Sequence, residues 1–193
     1  MNGKFIVIVG PSGGGKGTLI KHLQSLFPAL VYPKSFVTRP MRPGEIDGDV
    51  YRFIGVEEFK ERISRDDFLE WAVYGGNYYG TPASEVLPRI NRGEIVLKEL
   101  EVQGARQLKK KMSKDELAII FIDAGSWQDM KKRIKKRSPI TAEELKKREE
   151  RYKDEITFIK EADFVVKNET GKLDEAKEQI EAVVRSLLAK VSA

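Results

Sequence analysis

Gly10, Gly13, Gly14, Gly15 and Lys16, within GPSGGGK, are the residues of this chain whose types and spacing most directly imply chemistry. Without a Cβ at the glycines, the backbone can bend tightly around a polyphosphate and aim successive amide N–H groups at its oxygens. Lys16 adds a mobile charge able to reach the terminal phosphates of a nucleoside triphosphate, and a helix starting near it adds the positive end of its dipole. Gly10, Pro11, Ser12, Gly13, Gly14, Gly15, Lys16, Gly17 and Thr18 together form the expected triphosphate-binding stretch. The pattern G-x-x-x-x-G-K-[ST] is met from Gly10 to Lys16, but Gly17 stands where a hydroxyl residue is expected. Magnesium is then left to Thr18, one residue on, or to waters and phosphate oxygens. A plain turn before a helix is the alternative, but it needs one or two glycines rather than several beside a lysine.

A second set of chemical groups lies in SFVTRPMRPGEIDGDVY, from Ser35 to Tyr51. Its prolines and glycines exclude a helix. Arg39 and Arg42, three apart on a stiffened backbone, suit a bidentate grip on a phosphate or carboxylate; alternatively they pair with Glu45, Asp47 and Asp49 as a surface loop. Glu70 interrupts the apolar run FLEWAVY. It is aimed either into a ligand pocket or, as strand alternation favours, at solvent. Glu99 and Glu101 follow the apolar stretch EIVLK, where the carboxyl end of a parallel strand binds ligands; they suit a base, a magnesium ion or the cap of the next helix.

These groups need a scaffold that the apolar pattern supplies. Phe5–Val9 reads as a strand buried on both faces, and Leu19, Ile20, Leu23, Leu26 and Phe27 mark one side of a helix over 16–27. A helix is predicted over 56–64 with Phe59 and Ile63 inward, a strand over 68–74, and a hairpin turn at Gly75-Gly76-Asn77. Further on come a helix over 83–92, a strand over 94–97, a helix to about 112 and a buried strand over 118–122. Strands and helices alternating at this spacing predict a parallel sheet flanked by helices. Residues 126–137 and 141–160 predict two helices broken at Ser138-Pro139, the second opened by a capping box of Thr141 and Glu144. They carry few strong apolar positions, which suits a lid better than a core. A last strand over 164–166 precedes an amphipathic helix with Leu173, Ala176, Ile180, Val183, Leu187 and Val191 along one stripe.

The 193 residues suit one domain, and 40% hydrophobic with 34% charged residues is the balance of a soluble globular protein. With no cysteine, disulfides and thiolate metal sites are excluded, which is compatible with a reducing compartment. The short apolar run near the N-terminus passes directly into the glycine loop, so neither a signal peptide nor a membrane span is expected, and a cytoplasmic location is. The net charge of +5 is concentrated in residues 131–153, a surface suited to bound phosphates rather than to nucleic acid.

Taken together, these stretches resemble guanylate kinase, and the resemblance covers nearly the whole chain. The motifs carrying it are GPSGGGK, the S-x-x-T-R-x-x-R-x-G-E run from Ser35 to Glu45 with Tyr51, EW…GNYYGT from Glu70 to Thr81, ELEVQGA from Glu99 to Ala105, and the lid arginines Arg137 and Arg148. The resemblance implies an α/β fold of the P-loop nucleoside monophosphate kinase type, with a parallel β-sheet core flanked by helices (1–34, 83–125 and 161–193). It also implies a small β-rich GMP-binding insertion (35–82) and a helical lid (126–160). The implied activity is direct transfer of the γ-phosphoryl group of ATP, with Mg2+, to GMP or dGMP, by a monomer or homodimer supplying GTP and dGTP precursors. Ser35, Glu70, Thr81 and Glu101 are then expected to bind guanine, with the Ser35 and Thr81 hydroxyls donating toward O6. Arg39, Arg42, Tyr51 and Tyr79 are expected at the GMP phosphate, and Glu45, Gly80 and Glu99 elsewhere in the GMP site. Lys16, Arg137 and Arg148 are expected at the transferring phosphoryl group. Four positions depart from the family pattern: Gly17, Val37 where a hydroxyl is frequent, and Glu99 with Glu101 where aspartates are common. A phosphopeptide-binding module that has lost catalysis has little need of the Gly-Lys loop, and a kinase of ribose phosphates has no need of the guanine-reading set.

Overall fold

The computed structural model describes residues 3–137 and 139–192, apart from the side chains of Arg137 and Ser192. Ser138, at the expected break between the two lid helices, lies outside the described residues. The strands are β1 (Lys4–Val9), β2 (Ser35–Val37), β3 (Tyr51–Phe53), β4 (Phe68–Tyr74), β5 (Asn77–Pro82), β6 (Ile95–Glu99), β7 (Leu117–Asp123) and β8 (Phe164–Lys167). The helices are α1 (Lys16–Leu26), α2 (Val56–Ser64), α3 (Ala83–Asn91), α4 (Val102–Lys111), α5 (Trp127–Arg137), α6 (Ala142–Glu155) and α7 (Leu173–Ser192). One four-stranded sheet runs β6-β1-β7-β8 and the other runs β3-β2-β5-β4. The fully buried run Phe5–Val9 in β1 is the sequence signature of a strand covered on both faces.

The chain forms two compact units, one from residues 1–6 and 29–117, the other from 7–28 and 118–193, so that β1 contributes to both. In the first, β2 lies parallel to β3 and antiparallel to β5, and β5 returns from β4 through a two-residue turn. Gly75 and Gly76 make that turn with φ of 58° and 79°, the left-handed pair that a twisted hairpin demands. Phe59 of α2 is the centre of this small core, stacked on Phe68 with ring centroids 4.5 Å apart and tilted against Tyr78 at 5.2 Å.

The strand carrying Glu70 departs from simple alternation. Its register with β5 shifts between Phe68 and Glu70, so that Phe68, Leu69 and Glu70 are buried in succession. Glu70 is only 3% exposed, and the solvent-facing placement favoured by alternation is therefore wrong. The irregularity turns the carboxylate toward α4, which is anchored to β4 by Gln107: its side chain accepts from the Trp71 N–H at 3.1 Å and donates to the Trp71 carbonyl at 2.6 Å.

In the second unit, β7 pairs with β8 in parallel, Ile120 opposite Phe164 through Asp123 opposite Lys167. Leu19, Ile20 and Leu23 of α1 are buried, while Leu26 near its C-terminal end is 41% exposed. The buried stripe of α7 is Ala176, Ile180, Val184 and Leu187; of the other expected positions Val183 and Val191 are only partly covered and Leu173 is exposed. The expected helix over 141–160 ends at Glu155 and tightens into a 3-10 turn, Ile156–Lys160. Its capping box is present: the Thr141 hydroxyl accepts from the Glu144 N–H at 3.2 Å and Glu144 reaches back to the Thr141 N–H. Among the described residues no helix is long and apolar enough to cross a membrane.

Candidate active site

The glycine loop joins β1 to α1, as the sequence predicts. Gly15 holds φ at +87° as the N-cap of α1, and a Cβ there would fall 2.3 Å from the Asn168 side-chain nitrogen, so no other residue fits. The buried Lys16 ammonium donates to the carbonyls of Gly10 at 2.6 Å and Pro11 at 3.2 Å, lying along the inside of the loop that it follows. Gly17 is different: a Cβ there meets nothing within 4 Å, so the missing hydroxyl reflects no steric demand. Thr18 stands exposed on the first turn of α1.

Two side chains distant in sequence hold or touch the loop. Asn168, just past β8 and 5% exposed, donates from its amide to the Gly14 carbonyl at 2.7 Å, while Arg133 donates to the Asn168 carbonyl at 2.7 Å. The sequence reading missed Asn168; its only local signal is an amide directly after the strand FVVK. Arg148 donates to the Ser12 hydroxyl at 3.0 Å, which brings one expected lid arginine to the loop. Arg137 closes α5, and its side chain lies outside the described residues.

In the other unit, the arginine loop is resolved into two different positions. Arg39 is 8% exposed and is gripped by Glu45 through two hydrogen bonds of 2.6 Å, with its guanidinium 5.1 Å from the Tyr51 ring centroid and 5.3 Å from that of Phe53. These bonds to Arg39, with help from the Arg42 N–H at 2.8 Å, push the Glu45 carboxyl down to about 2. The pairing considered for a surface loop thus exists for Arg39, but in a largely buried setting, whereas Arg42 keeps its side chain exposed. Asp47 caps the Phe53 N–H at 2.9 Å. Tyr51 and Tyr79 both interact with Arg39, and burial, then Glu99, raises the Tyr51 hydroxyl above its ordinary value.

Glu70 and Thr81 form the centre of a second cluster. They are paired across β4 and β5, and the Thr81 hydroxyl donates to Glu70 Oε1 at 2.6 Å in a fully enclosed position. Burial pushes the Glu70 carboxyl up to about 7, opposed by the Thr81 hydrogen bond and by the charge of Lys98. Gly104 of α4 admits that carboxylate: a Cβ there would fall 2.2 Å from Glu70 Oε2. Gly80 packs against Phe59 and Phe68 too closely for a side chain, and Ser35 is buried on β2 opposite Tyr51 of β3. Glu99 ends β6 half-buried, and Glu101 takes the N-cap position of α4 without capping it through its side chain. Lys98, between two apolar strand residues and Glu99, was also missed; a lysine inside IVLKE is its signal.

A buried carboxylate oriented by a threonine hydroxyl can hold a base with adjacent N–H donors, and a rigid arginine beside two tyrosines can hold a phosphate; the Gly-Lys loop can hold a second, longer polyphosphate. A model of the guanylate kinase family matches residues 2–187. The chain is 41% identical to the guanylate kinase of Thermotoga maritima over all of this chain and 91% of that one. It is 42% identical to that of Prochlorococcus marinus subsp. pastoris over 95% of this chain and 97% of the relative. The crystal structure of guanylate kinase from Anaplasma phagocytophilum superposes with a TM-score of 0.72 at 25% identity, covering 96% of this chain and 86% of the other. On these matches, and on the motifs and geometry above, the chain belongs to the guanylate kinase family.

Proposed function

We propose that this chain transfers the terminal phosphoryl group of ATP to GMP or dGMP, giving ADP and GDP or dGDP, and that the residues just described divide that work. The observation that carries the base assignment is the buried Glu70 carboxylate fixed by Thr81 at 2.6 Å. Guanine presents N1–H and its 2-amino group as adjacent donors, which a carboxylate accepts; adenine presents a bare N1 acceptor there. Glu70 and Glu101 are the acceptors. Because the single Thr81 hydroxyl proton is committed to Glu70, Thr81 orients the carboxylate and Ser35 is left to donate toward O6.

Arg39 and Arg42, with Tyr51 and Tyr79, hold the GMP phosphate. Glu45 carries the same sign as that phosphate, so its part is to fix the Arg39 fork rather than to touch the ligand. Glu99 and Gly80 shape the same site. The main-chain N–H groups of residues 10–18 cradle the ATP phosphates, and Lys16, Arg137 and Arg148 neutralise charge on the transferring group. Direct in-line transfer then needs no covalent enzyme intermediate, because positioning and charge neutralisation suffice. Residues 35–82 form the GMP-binding insertion and 126–160 the lid on a core made of the remainder.

Among the described residues no group of three or more His, Asp or Glu side chains is arranged to hold a metal ion. Magnesium would enter with ATP, and Thr18, exposed on the first turn of α1, is the residue that would offer it a hydroxyl. The ion supplies neutralisation of phosphate charge. The cysteine-free composition suits a cytoplasmic place in purine nucleotide metabolism. Lys16→Ala tests the assignment: turnover of ATP with GMP should fall by several powers of ten, since one charge on the transferring phosphates is worth roughly 3 to 5 kcal/mol, while the fold persists. Near-normal turnover would remove the loop from the mechanism.

A further inference from the structure

β4 ends the order β3-β2-β5-β4, so one of its edges has no neighbouring strand. Main-chain N–H and C=O groups on such an edge need other partners wherever they are covered. Trp71, the residue after Glu70, turns both of its main-chain groups to that edge, and both meet one side chain: Gln107 of α4 accepts from the Trp71 N–H at 3.1 Å and donates to the Trp71 carbonyl at 2.6 Å. A side-chain amide carries an acceptor and a donor side by side, so this one glutamine offers what a further strand would offer. Gly104, Gln107 and Lys111 follow one another by steps of three and four, which places them on one face of α4. Gly104 leaves the room that the Glu70 carboxylate occupies, and Lys111 donates to the Phe68 carbonyl at 3.0 Å and to Asp66 at 2.9 Å. The two ties from α4 are not equivalent. From Glu70 to Tyr74 the strand keeps one continuous register with β5, whereas the register shifts between Phe68 and Glu70. Gln107 therefore holds the stretch that contains Glu70, and Lys111 holds the stretch before the shift.

We propose that Gln107 is a positioning residue for base selection: by bracketing Trp71 on the open edge of β4 it seats α4 against Glu70, and so keeps the carboxylate enclosed and aimed to accept the guanine N1–H and 2-amino donors. The proposal rests on the reading of Glu70 as the group that accepts from guanine. Thr81 fixes one carboxylate oxygen, Oε1, at 2.6 Å, but the other, Oε2, lies against Gly104, so its surroundings depend on how α4 is seated. Without the bracket the Trp71 N–H and carbonyl must turn to water, α4 withdraws from the edge, and the Glu70 side chain gains solvent and rotamers. Misplacing a recognising group by about 1 Å costs on the order of 10²-fold.

The decisive experiment compares Gln107→Met, Lys111→Met and Glu70→Gln with the unmodified protein, reading kcat/KM for GMP and for AMP on the same enzyme sample. Methionine keeps the length and the helix propensity of glutamine but makes neither bond. The GMP/AMP ratio cancels the fraction of enzyme that is folded, so lost stability alone does not move it. Gln107→Met should lower that ratio by about ten- to a hundredfold, with KM for GMP raised and KM for ATP unchanged. Lys111→Met should loosen the same helix without moving the ratio, because its tie lies beyond the register shift. An unmoved ratio in Gln107→Met, or an equal fall in Lys111→Met, overturns the proposal. The double variant shows whether Gln107 acts through Glu70: in a Glu70→Gln background, Gln107→Met should not change the ratio further, and a further fall of the same size overturns the proposal. Should Gln107→Met not fold, amide hydrogen exchange of the unmodified protein decides: GMP should slow exchange of the Trp71 N–H more than AMP does at equal occupancy, and equal slowing overturns the proposal. Glu70→Gln alone separates the two layers. If it keeps the GMP over AMP preference, the reading of Glu70 is wrong; if it loses the preference while Gln107→Met keeps it, only the role of Gln107 is wrong.

Discussion

Gly104→Ala places one methyl group where the Glu70 carboxylate, proposed to read guanine, lies. The new Cβ would stand 2.2 Å from Glu70 Oε2, 2.9 Å from Cδ and 3.3 Å from Cγ, so the Glu70 side chain must rotate away. Two effects on stability oppose each other. Alanine inside α4 gains about 1 kcal/mol over glycine in helix propensity. Loss of the Thr81–Glu70 bond, made at 2.6 Å in a buried setting, costs about 1.5–3 kcal/mol because one partner is charged. The net destabilisation should therefore be about 0.5–2 kcal/mol, and the variant should fold. Base selection should suffer far more. Polar recognition of this kind rejects the wrong base by about 10⁴, whereas shape alone gives on the order of 10²; displacing the carboxylate should bring the GMP/AMP ratio of kcat/KM down toward the lower figure. Thermal unfolding and a coupled assay with each monophosphate measure both effects. A folded variant with the unmodified GMP/AMP ratio would refute the placement of Glu70 at the base.

Other substitutions probe the phosphate side. A Cβ at position 17 meets no atom within 4 Å, so Gly17→Ser should stabilise α1 by about 0.5 kcal/mol and lower the Mg2+ concentration needed for half-maximal activity; an unchanged requirement would show that a hydroxyl at this position does not reach the metal. Asn168→Ala removes the 2.7 Å bond to the Gly14 carbonyl and should cost about 1–3 kcal/mol in stability, raising KM for ATP but not for GMP, an asymmetry that steady-state kinetics with each substrate varied would detect or deny. For Arg148→Ala, kcat should fall much further than the affinity for GMP; a raised KM with unchanged kcat would make this arginine a binding group only.

Features legible in the sequence are those fixed by a few adjacent residues. GPSGGGK announces its turn into α1 because only glycine tolerates the left-handed backbone and close approach found at Gly15. The Gly75–Gly76 hairpin and the Thr141–Glu144 box are equally local. Glu70 is a different case, because a register shift breaks the alternation on which the solvent-facing expectation rested, and its surroundings come from β5, β6 and α4. Arg39 shows the same limit, since spacing alone left open whether the fork meets a ligand or Glu45, and the structure adds two aromatic rings that fix it in place. Lys98 and Asn168 were unreadable as site residues because their partners, Pro33 and Gly14, lie 65 and 154 positions away.

The most direct test of the central claim is kcat/KM of the unmodified protein with ATP against GMP, dGMP, AMP and a set of ribose phosphates, read in one coupled ADP-release assay. The expected result is efficient use of GMP and dGMP, a GMP over AMP preference of about 10⁴, and no turnover of ribose phosphates lacking a base. Comparable use of AMP and GMP, or phosphorylation of a ribose phosphate in preference to both, would contradict it.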